Sequence, residues 1–81
     1  MDDTLRQAVT RIATEYFENL PEENMAGVYK LFVSEMERGL LPTVMGKTSG
    51  NQSKAAKWLG LNRGTFRKKW KLIFEPYNKI I

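Results

Sequence analysis

One segment of this sequence, residues 25–48, holds more apolar side chains than one face of a helix can accommodate. One stripe at three- and four-residue steps consists of Met25, Val28, Tyr29, Phe32, Met36 and Leu40. Further apolar side chains fall partly on other faces of the same helix: Leu31, Val33, Leu41, Val44 and Met45. A helix that is apolar over most of its circumference must be covered from more than one side.

The composition offers few other means of holding so short a chain together. Its 81 residues include no cysteine and no histidine, which excludes disulfides and the usual metal sites. A lone domain of this size buries only about 60% of its unfolded surface. We therefore expect a homodimer in which a second copy covers the apolar helix. The alternative is a monomer in which that segment is an ordinary core helix.

The two missing residue types also bear on catalysis. Histidine is the commonest general base and metal ligand, and cysteine is the usual thiol nucleophile. We therefore predict that the chain is not an enzyme, and that it has no catalytic residue, metal, cofactor or small-molecule substrate.

Charge is divided unevenly about Gly46. Residues 1–46 hold four basic and eight acidic side chains, a balance of −4, whereas residues 47–81 hold nine basic and one acidic, a balance of +8. The formal net charge of +4 therefore conceals a strongly basic half. Such a half indicates a polyanionic partner, with nucleic acid the first candidate and an anionic membrane surface the second. The alternative is a solvated basic helix face without a partner.

No segment resembles a membrane span or a signal peptide. The longest apolar runs, such as Leu31–Phe32–Val33, are far shorter than the ~20 residues that cross a bilayer. The acidic start leads into no apolar stretch. We expect a soluble, cytoplasmic protein without a membrane partner.

Periodicity predicts an all-α protomer of four helices, the first two of which form a dimerisation unit over residues 1–48. Asp3 or Thr4 caps the first helix. Leu20–Pro21 ends it, because the residue before a proline disfavours helical dihedrals.

The second helix is predicted to start at Met25, with Asn24 as its N-cap, and to run toward Thr48. Pro42 lies inside this stretch, where it removes one hydrogen bond and crowds the carbonyl of Arg38. We therefore expect a kink at Pro42.

Two shorter helices follow and form a helix-turn-helix candidate over residues 49–74, with a tail over residues 75–81. The first covers residues 52–59, after Ser49–Gly50–Asn51 supplies a turn and a cap. The second starts at Arg63 and ends at about residue 74, because its continuation meets a proline.

Small residues favour a tight corner between these two helices. Ala55 and Ala56 let the helices cross closely, Gly60 permits the positive φ of the turn, and Leu61 fills the space beneath it. The inward stripe of the last helix consists of Phe66, Trp70 and Ile73. We expect both tryptophans, Trp58 and Trp70, to be packing residues.

The opposite face of the last helix is almost entirely cationic. A step of about 100° per residue places Gly64 and Lys68 opposite the apolar stripe, flanked by Arg67 and Lys71. The glycine lets the helix approach a surface closely. This combination predicts a recognition helix for the major groove of DNA.

Individual residues can be assigned on this interface. Arg63 in the first turn can reach O6 and N7 of guanine, while Asn62 and Lys68 can reach base edges or phosphates beside it. Asn51 and Ser53, with the exposed amides that open the preceding helix, suit a phosphate. Further backbone contacts are predicted for Lys54, Thr65, Lys69 and Lys71.

The residues 51–56 (NQSKAA) and 60–69 (GLNRGTFRKK) closely resemble the C-terminal helix-turn-helix of the bacterial Fis family. The most specific part is Asn62–Arg63–Gly64–Thr65, which is also similar to the C-terminal domains of NtrC-type activators. Similarity continues upstream through Tyr16–Phe17 and residues 28–45, so that it covers roughly residues 4–72.

The resemblance implies a nucleoid-associated homodimer with interlocked first helices and a helix-turn-helix at each end. Such proteins bend DNA, bind degenerate sites and regulate transcription and recombination. Their paired recognition helices lie closer together than one turn of straight DNA, so specificity comes largely from deformability. By position, the base-edge residues are Asn62, Arg63 and Lys68. The backbone contacts are Asn51, Ser53, Lys54, Thr65, Arg67 and Lys69, with Ser53 and Lys54 standing where Thr and Arg are usual.

Two departures from the family pattern change the expectations. The N-terminal arm that activates recombinases has no counterpart in these residues, so recombinase activation is not expected. Gly39 stands where a proline is usual, and Pro42 follows three residues later, which displaces the predicted kink. A hypothesis from another class also stays open, a dimeric protein-interaction module derived from an NtrC-type activator.

Overall fold

Four α-helices and one short 3₁₀ turn make up this protein, of which a computed structural model describes the backbone of residues 4–79 and the side chains of residues 4–74. The helices are α1 (Leu5–Asn19), α2 (Val28–Lys47), α3 (Gln52–Leu59) and α4 (Arg63–Lys79), and the 3₁₀ turn is Glu22–Asn24. No strand occurs between residues 4 and 79, so the predicted all-α class is confirmed.

Helix α1 begins and ends where the sequence predicts. Thr4 Oγ1 accepts a hydrogen bond from the Gln7 backbone N–H (3.1 Å), and Gln7 Oε1 accepts one from the Thr4 N–H (2.8 Å). This capping box satisfies two donors at the start of the helix. Leu20, which precedes Pro21, is extended with φ −115°, so the helix ends at Asn19.

Helix α2 starts three residues later than predicted. Asn24 is not its N-cap but the last residue of the 3₁₀ turn, where its N–H donates to the Pro21 carbonyl (2.9 Å). Met25 is extended, and Gly27 has a left-handed φ of 69° that turns the chain into a helix starting at Val28. The predicted start at Met25 is wrong because the short turn after Pro21 closes locally and needs Gly27 to leave it.

Neither internal proline ends its helix. Helix α2 continues through Pro42 to Lys47, with Thr43 Oγ1 donating to the Gly39 carbonyl (2.7 Å). Helix α4 continues through Pro76 to Lys79, so the predicted stop of the helix at Glu75–Pro76 is wrong. A proline removes one donor, but a helix that is already several turns long can continue past that loss. Residues 80–81 of the predicted tail lie outside the described residues.

The core lies where α2, α3 and α4 meet. It consists of Leu41, Val44, Ala55, Ala56 and Phe66, each at most 7% exposed. Helix α3 packs on both α4 and α2, while α1 contributes no buried residue. The described side chains therefore form one small core, and it lies where the last turns of α2 meet α3 and α4.

The N-terminal half is open by comparison. Tyr16 of α1 meets Phe32 of α2 edge to face, with ring centroids 5.6 Å apart. Around that contact, an apolar groove of about 860 Å³ runs between the two helices. The radius of gyration is 15.3 Å, whereas a compact domain of this length would have about 12 Å. The protomer is thus extended, with one closed end and one open end.

Candidate nucleic-acid interface

The corner between α2 and α3 is held by backbone and hydroxyl hydrogen bonds. Thr48 is buried and its Oγ1 donates to the Val44 carbonyl (2.9 Å). Ser49 and Gly50 both have positive φ, 54° and 79°, and the Gly50 N–H donates to the Met45 carbonyl (2.8 Å). Two consecutive left-handed residues reverse the chain, which sets the start of α3 beside the end of α2.

The turn between α3 and α4 has the form that the sequence predicts. Gly60 has φ 74°, and the N–H of Leu61 donates to the Ala56 carbonyl (2.9 Å). Ala55 and Ala56 are completely or almost completely buried, so α4 packs closely against α3. Leu61 is half-buried against the core, as expected of a residue that fills the space beneath the turn.

Asn62 caps the predicted recognition helix. Its Oδ1 accepts hydrogen bonds from the N–H of Gly64 (2.8 Å) and of Thr65 (3.4 Å). The oxygen is therefore committed to the helix start, and the amide NH₂ group is what Asn62 can offer to a base edge or a phosphate. The glycine at position 64 leaves room for this cap, because a Cβ there would lie only 3.1 Å from Asn62 Oδ1.

The inner face of α4 is apolar and aromatic, as predicted. Phe66 is completely buried and stacks on Trp70, with ring centroids 6.2 Å apart and planes 9° apart. Trp70 stacks in turn on Phe74 at 5.4 Å. Ile73 packs against the same core. This row fixes which side of α4 faces the protein and so which side faces outward.

The outward side of α4 is exposed and basic. The exposed side chains on it and at its first turn include Asn62, Arg63, Thr65, Arg67, Lys68 and Lys71. With Gly64 among them, the helix presents cations around a position without a side chain. This geometry suits a polyanion surface that has a groove wide enough for a helix.

The predicted contacts on α3 lie at its start. Asn51, Ser53 and Lys54 are exposed, and Asn51 Oδ1 accepts a hydrogen bond from the Lys54 N–H (3.0 Å), which caps the helix. Lys54 Nζ also lies 5.6 Å from the centre of the Trp58 ring. Trp58 is 56% exposed, so its prediction as a packing residue is wrong; its position on α3 places it beside the lysine and off the core.

Lys69 has a different environment from the other predicted contacts. Its Nζ forms an ion pair with a carboxylate oxygen of Glu37 on α2, at 2.8 Å. The sequence could have indicated that Lys69 lies near the protein-facing side of α4, because on a helical wheel it falls roughly 70° from the centre of the apolar stripe. The sequence could not supply the partner, since Glu37 is 32 residues away along the chain.

Other kinds of site find no support among the residues that the structure describes. Within them, no group of three histidine, cysteine, aspartate or glutamate side chains could hold a metal ion. None of the helices in the described part of the chain is long and apolar enough to cross a membrane.

A buried corner between a short helix and a second helix that is cationic on its open side is the arrangement of the helix-turn-helix class. Residues 32–71 match the family described as bacterial regulatory protein, Fis family. The chain is also 47% identical over 68 residues to a Fis-like DNA-binding protein of Pseudomonas aeruginosa.

Both comparisons confirm the resemblance to the Fis family that is seen in the sequence. The matched stretch is 84% of this chain and 65% of the Pseudomonas protein, so the chain spans less than two thirds of that relative. The family is one of regulatory proteins, in agreement with the prediction that this chain is not an enzyme.

Proposed function

We propose that this protein is a DNA-binding and DNA-bending homodimer that regulates transcription as part of the bacterial nucleoid, in the cytoplasm. The observation that carries the proposal is the outward side of α4, which is basic and exposed while its inner side is buried in the core. A helix held in this way can enter a major groove without loss of its own packing. The Pseudomonas relative, described as DNA-binding, supports the same conclusion.

The proposed contacts divide into two groups. Asn62, Arg63 and Lys68 face base edges, with the Arg63 guanidinium shaped to pair with O6 and N7 of guanine. The others bind phosphates and hold the helix in register: Asn51, Ser53, Lys54, Thr65, Arg67 and Lys71. Lys69, which was predicted as a seventh backbone contact, is held by Glu37, and its role is treated separately below.

Shape readout follows from how few side chains can read bases. Each protomer offers three, and the Asn62 oxygen is already occupied by the helix cap. Three side chains can distinguish only a few base pairs by direct contact. Sequence preference must therefore come in large part from how easily the duplex deforms. We therefore propose degenerate sites with flexible or narrow central segments.

The homodimer is supported by the open N-terminal half. Large apolar side chains of both helices stay exposed around the groove, among them Leu5 at 76%, Ile12 at 49% and Leu40 at 44%. Tyr29, at the start of α2, is 85% exposed. An apolar surface of this extent is unusual on a monomer, and a second copy of the same two helices would cover it.

The test is a gel-shift series over salt concentration with Arg63→Ala and a charge-matched control, Lys30→Ala. We expect Arg63→Ala to lose about 1–3 kcal/mol on preferred sites and to relax base preference. Lys30 lies in the acidic half, so its removal should leave binding unchanged. Equal binding of specific and random duplexes by Arg63→Ala and the unaltered protein would contradict the contact assignment.

A second outcome would favour the protein-interaction alternative. If the unaltered protein shifts no duplex even at low salt, yet forms a salt-insensitive complex with a protein partner, DNA is not its ligand. The charge of the α4 face predicts the opposite, a steep fall in DNA affinity with salt.

A further inference from the structure

An ion pair joins α4 directly to α2. Lys69 Nζ lies 2.8 Å from a carboxylate oxygen of Glu37, and the two side chains are only 34% and 19% exposed. Partial removal from water strengthens the attraction within such a pair, so the two side chains adopt fewer relative positions than they would on the open surface. The contact therefore restricts how α4 can sit on α2.

The pair lies at the edge of the core, with both of its side chains partly shielded from water. Glu37 is one helical turn before Leu41, and Lys69 follows Phe66 by three residues; Leu41 and Phe66 are both buried. Phe66, with Trp70 and Ile73, anchors α4 on the core, and the ion pair adds an attachment from α4 directly to α2. This added attachment restricts rotation of α4 relative to α2.

Rotation of α4 would matter most at its start. Arg63 is six residues before Lys69, about 9 Å along the helix axis. A small change of helix angle at the ion pair therefore displaces Arg63 relative to the rest of the protein. In a dimer the same change occurs twice, so it alters the separation of the two recognition helices.

We propose that Glu37 and Lys69 are positioning residues that set the angle between α2 and α4 and thereby the bend imposed on DNA. The proposal rests on the proposed function, since it requires a dimer that binds DNA through α4. A duplex must bend further when the recognition helices lie closer together, and the energy of bending depends on its sequence. Glu37 thus influences site preference without touching DNA.

A positioning role for Lys69 and a phosphate contact by Lys69 predict different effects on the salt dependence of DNA affinity and on the bend angle. A phosphate contact contributes about 0.9 to the slope of log affinity against log salt, whereas a lysine paired inside the protein contributes none. Removing the Glu37 charge would free Lys69 and increase DNA affinity if the lysine binds phosphate. If the pair positions α4, the same change alters the bend angle.

The experiment compares Lys69→Gln with Lys71→Gln, which removes a proposed phosphate contact on the same helix. Each is measured by salt-series gel shift and by phased bending gels, on duplexes with a flexible and a stiff centre. We expect Lys69→Gln to keep the salt slope, change the bend angle and lower the preference for the flexible duplex about two- to fivefold. Lys71→Gln should lower the slope by about 1 and keep the bend. A lowered slope with an unchanged bend in Lys69→Gln would overturn the proposal.

Exchanging the two charges of the ion pair tests whether the bend angle can be restored. Glu37→Lys alone places two cations together and should alter the bend as Lys69→Gln does, while the double variant Glu37→Lys, Lys69→Glu should restore it. Circular dichroism checks that each variant is folded; a folded double variant with an uncorrected bend contradicts the positioning role. Failure of the proposed function is distinguishable, because the unaltered protein and Lys71→Gln would then show no salt-dependent binding at all.

Discussion

The two halves of this protomer solve the problem of a small core differently. The helix-turn-helix unit packs against the end of α2 and closes a core with side chains from three helices, among them Phe66 and two buried alanines. Helices α1 and α2 instead leave an apolar groove open between them. Small side chains let α3 and α4 approach closely, whereas the larger apolar side chains of the N-terminal half find too few partners within one chain. The proposed DNA-binding surface thus lies on the half whose core is closed, and the proposed dimer interface lies on the half whose groove is open.

The largest expected effect breaks the complete half. Phe66→Ala removes a fully buried ring from the junction of three helices and should lower the free energy of unfolding by about 3–5 kcal/mol. Leu72→Ala, at a side chain that is 73% exposed on the same helix, should change it by less than about 0.5 kcal/mol. Urea unfolding of both variants checks the contrast, and similar midpoints would mean that Phe66 is not the centre of the core.

The next effect tests the open half. Ile12→Lys places a charge in the groove and should weaken the proposed dimer by about 3 kcal/mol, because a buried charge without a partner loses its hydration. Thr14→Lys adds the same charge at an exposed position of α1 outside the groove and should leave the dimer intact. Sedimentation equilibrium measures both; equal masses for the two variants would count against a dimer through the groove.

A smaller effect separates two glycines near the corners of the binding half. Gly60→Ala should destabilise the protein by about 1–2 kcal/mol, because φ is 74° and a Cβ is strained there. Gly46→Ala, inside α2 with no atom within 4 Å of the added Cβ, should stabilise it by up to about 1 kcal/mol. Thermal unfolding should therefore show shifts of opposite sign, and a stabilised Gly60→Ala would contradict the turn.

The smallest effect compares the charges of the two halves. Lys71→Ala should reduce DNA affinity equally on all sequences and lower the salt slope by about 1. Lys30→Ala removes the same charge from the acidic half and should leave the slope unchanged. A salt-series titration on one specific and one random duplex is sufficient, and equal slopes for the two variants would mean that the basic half is not the binding half.

Much of the fold could be predicted because its signals are local. Thr4, Asn51 and Asn62 cap helices through hydrogen bonds that span three residues or fewer, and Gly60 forms its turn within five residues. Periodicity alone places Phe66 on the inside of α4. The candidate DNA contacts on the outward side of α4 follow from the same periodicity, and whether they bind DNA is still a proposal.

The two wrong helix boundaries arose where two local signals compete. After Pro21, the residues could either start a helix at Met25 or close a short turn, and the positive φ of Gly27 belongs to the second choice. At Pro76, the loss of one donor competes with the tendency of a long helix to continue. Local patterns do not give the relative energies of such alternatives.

The sequence by itself determined the helices, the tight corner, the cationic side of α4 and the division of charge between the halves, because each depends on neighbours along the chain. Only the tertiary structure decided that Lys69 pairs with Glu37, that Trp58 lies open beside Lys54, and that α1 buries none of its side chains. These features depend on how helices approach one another across many residues. The way the helices pack is determined by the whole protomer and cannot be read from the sequence of any single helix.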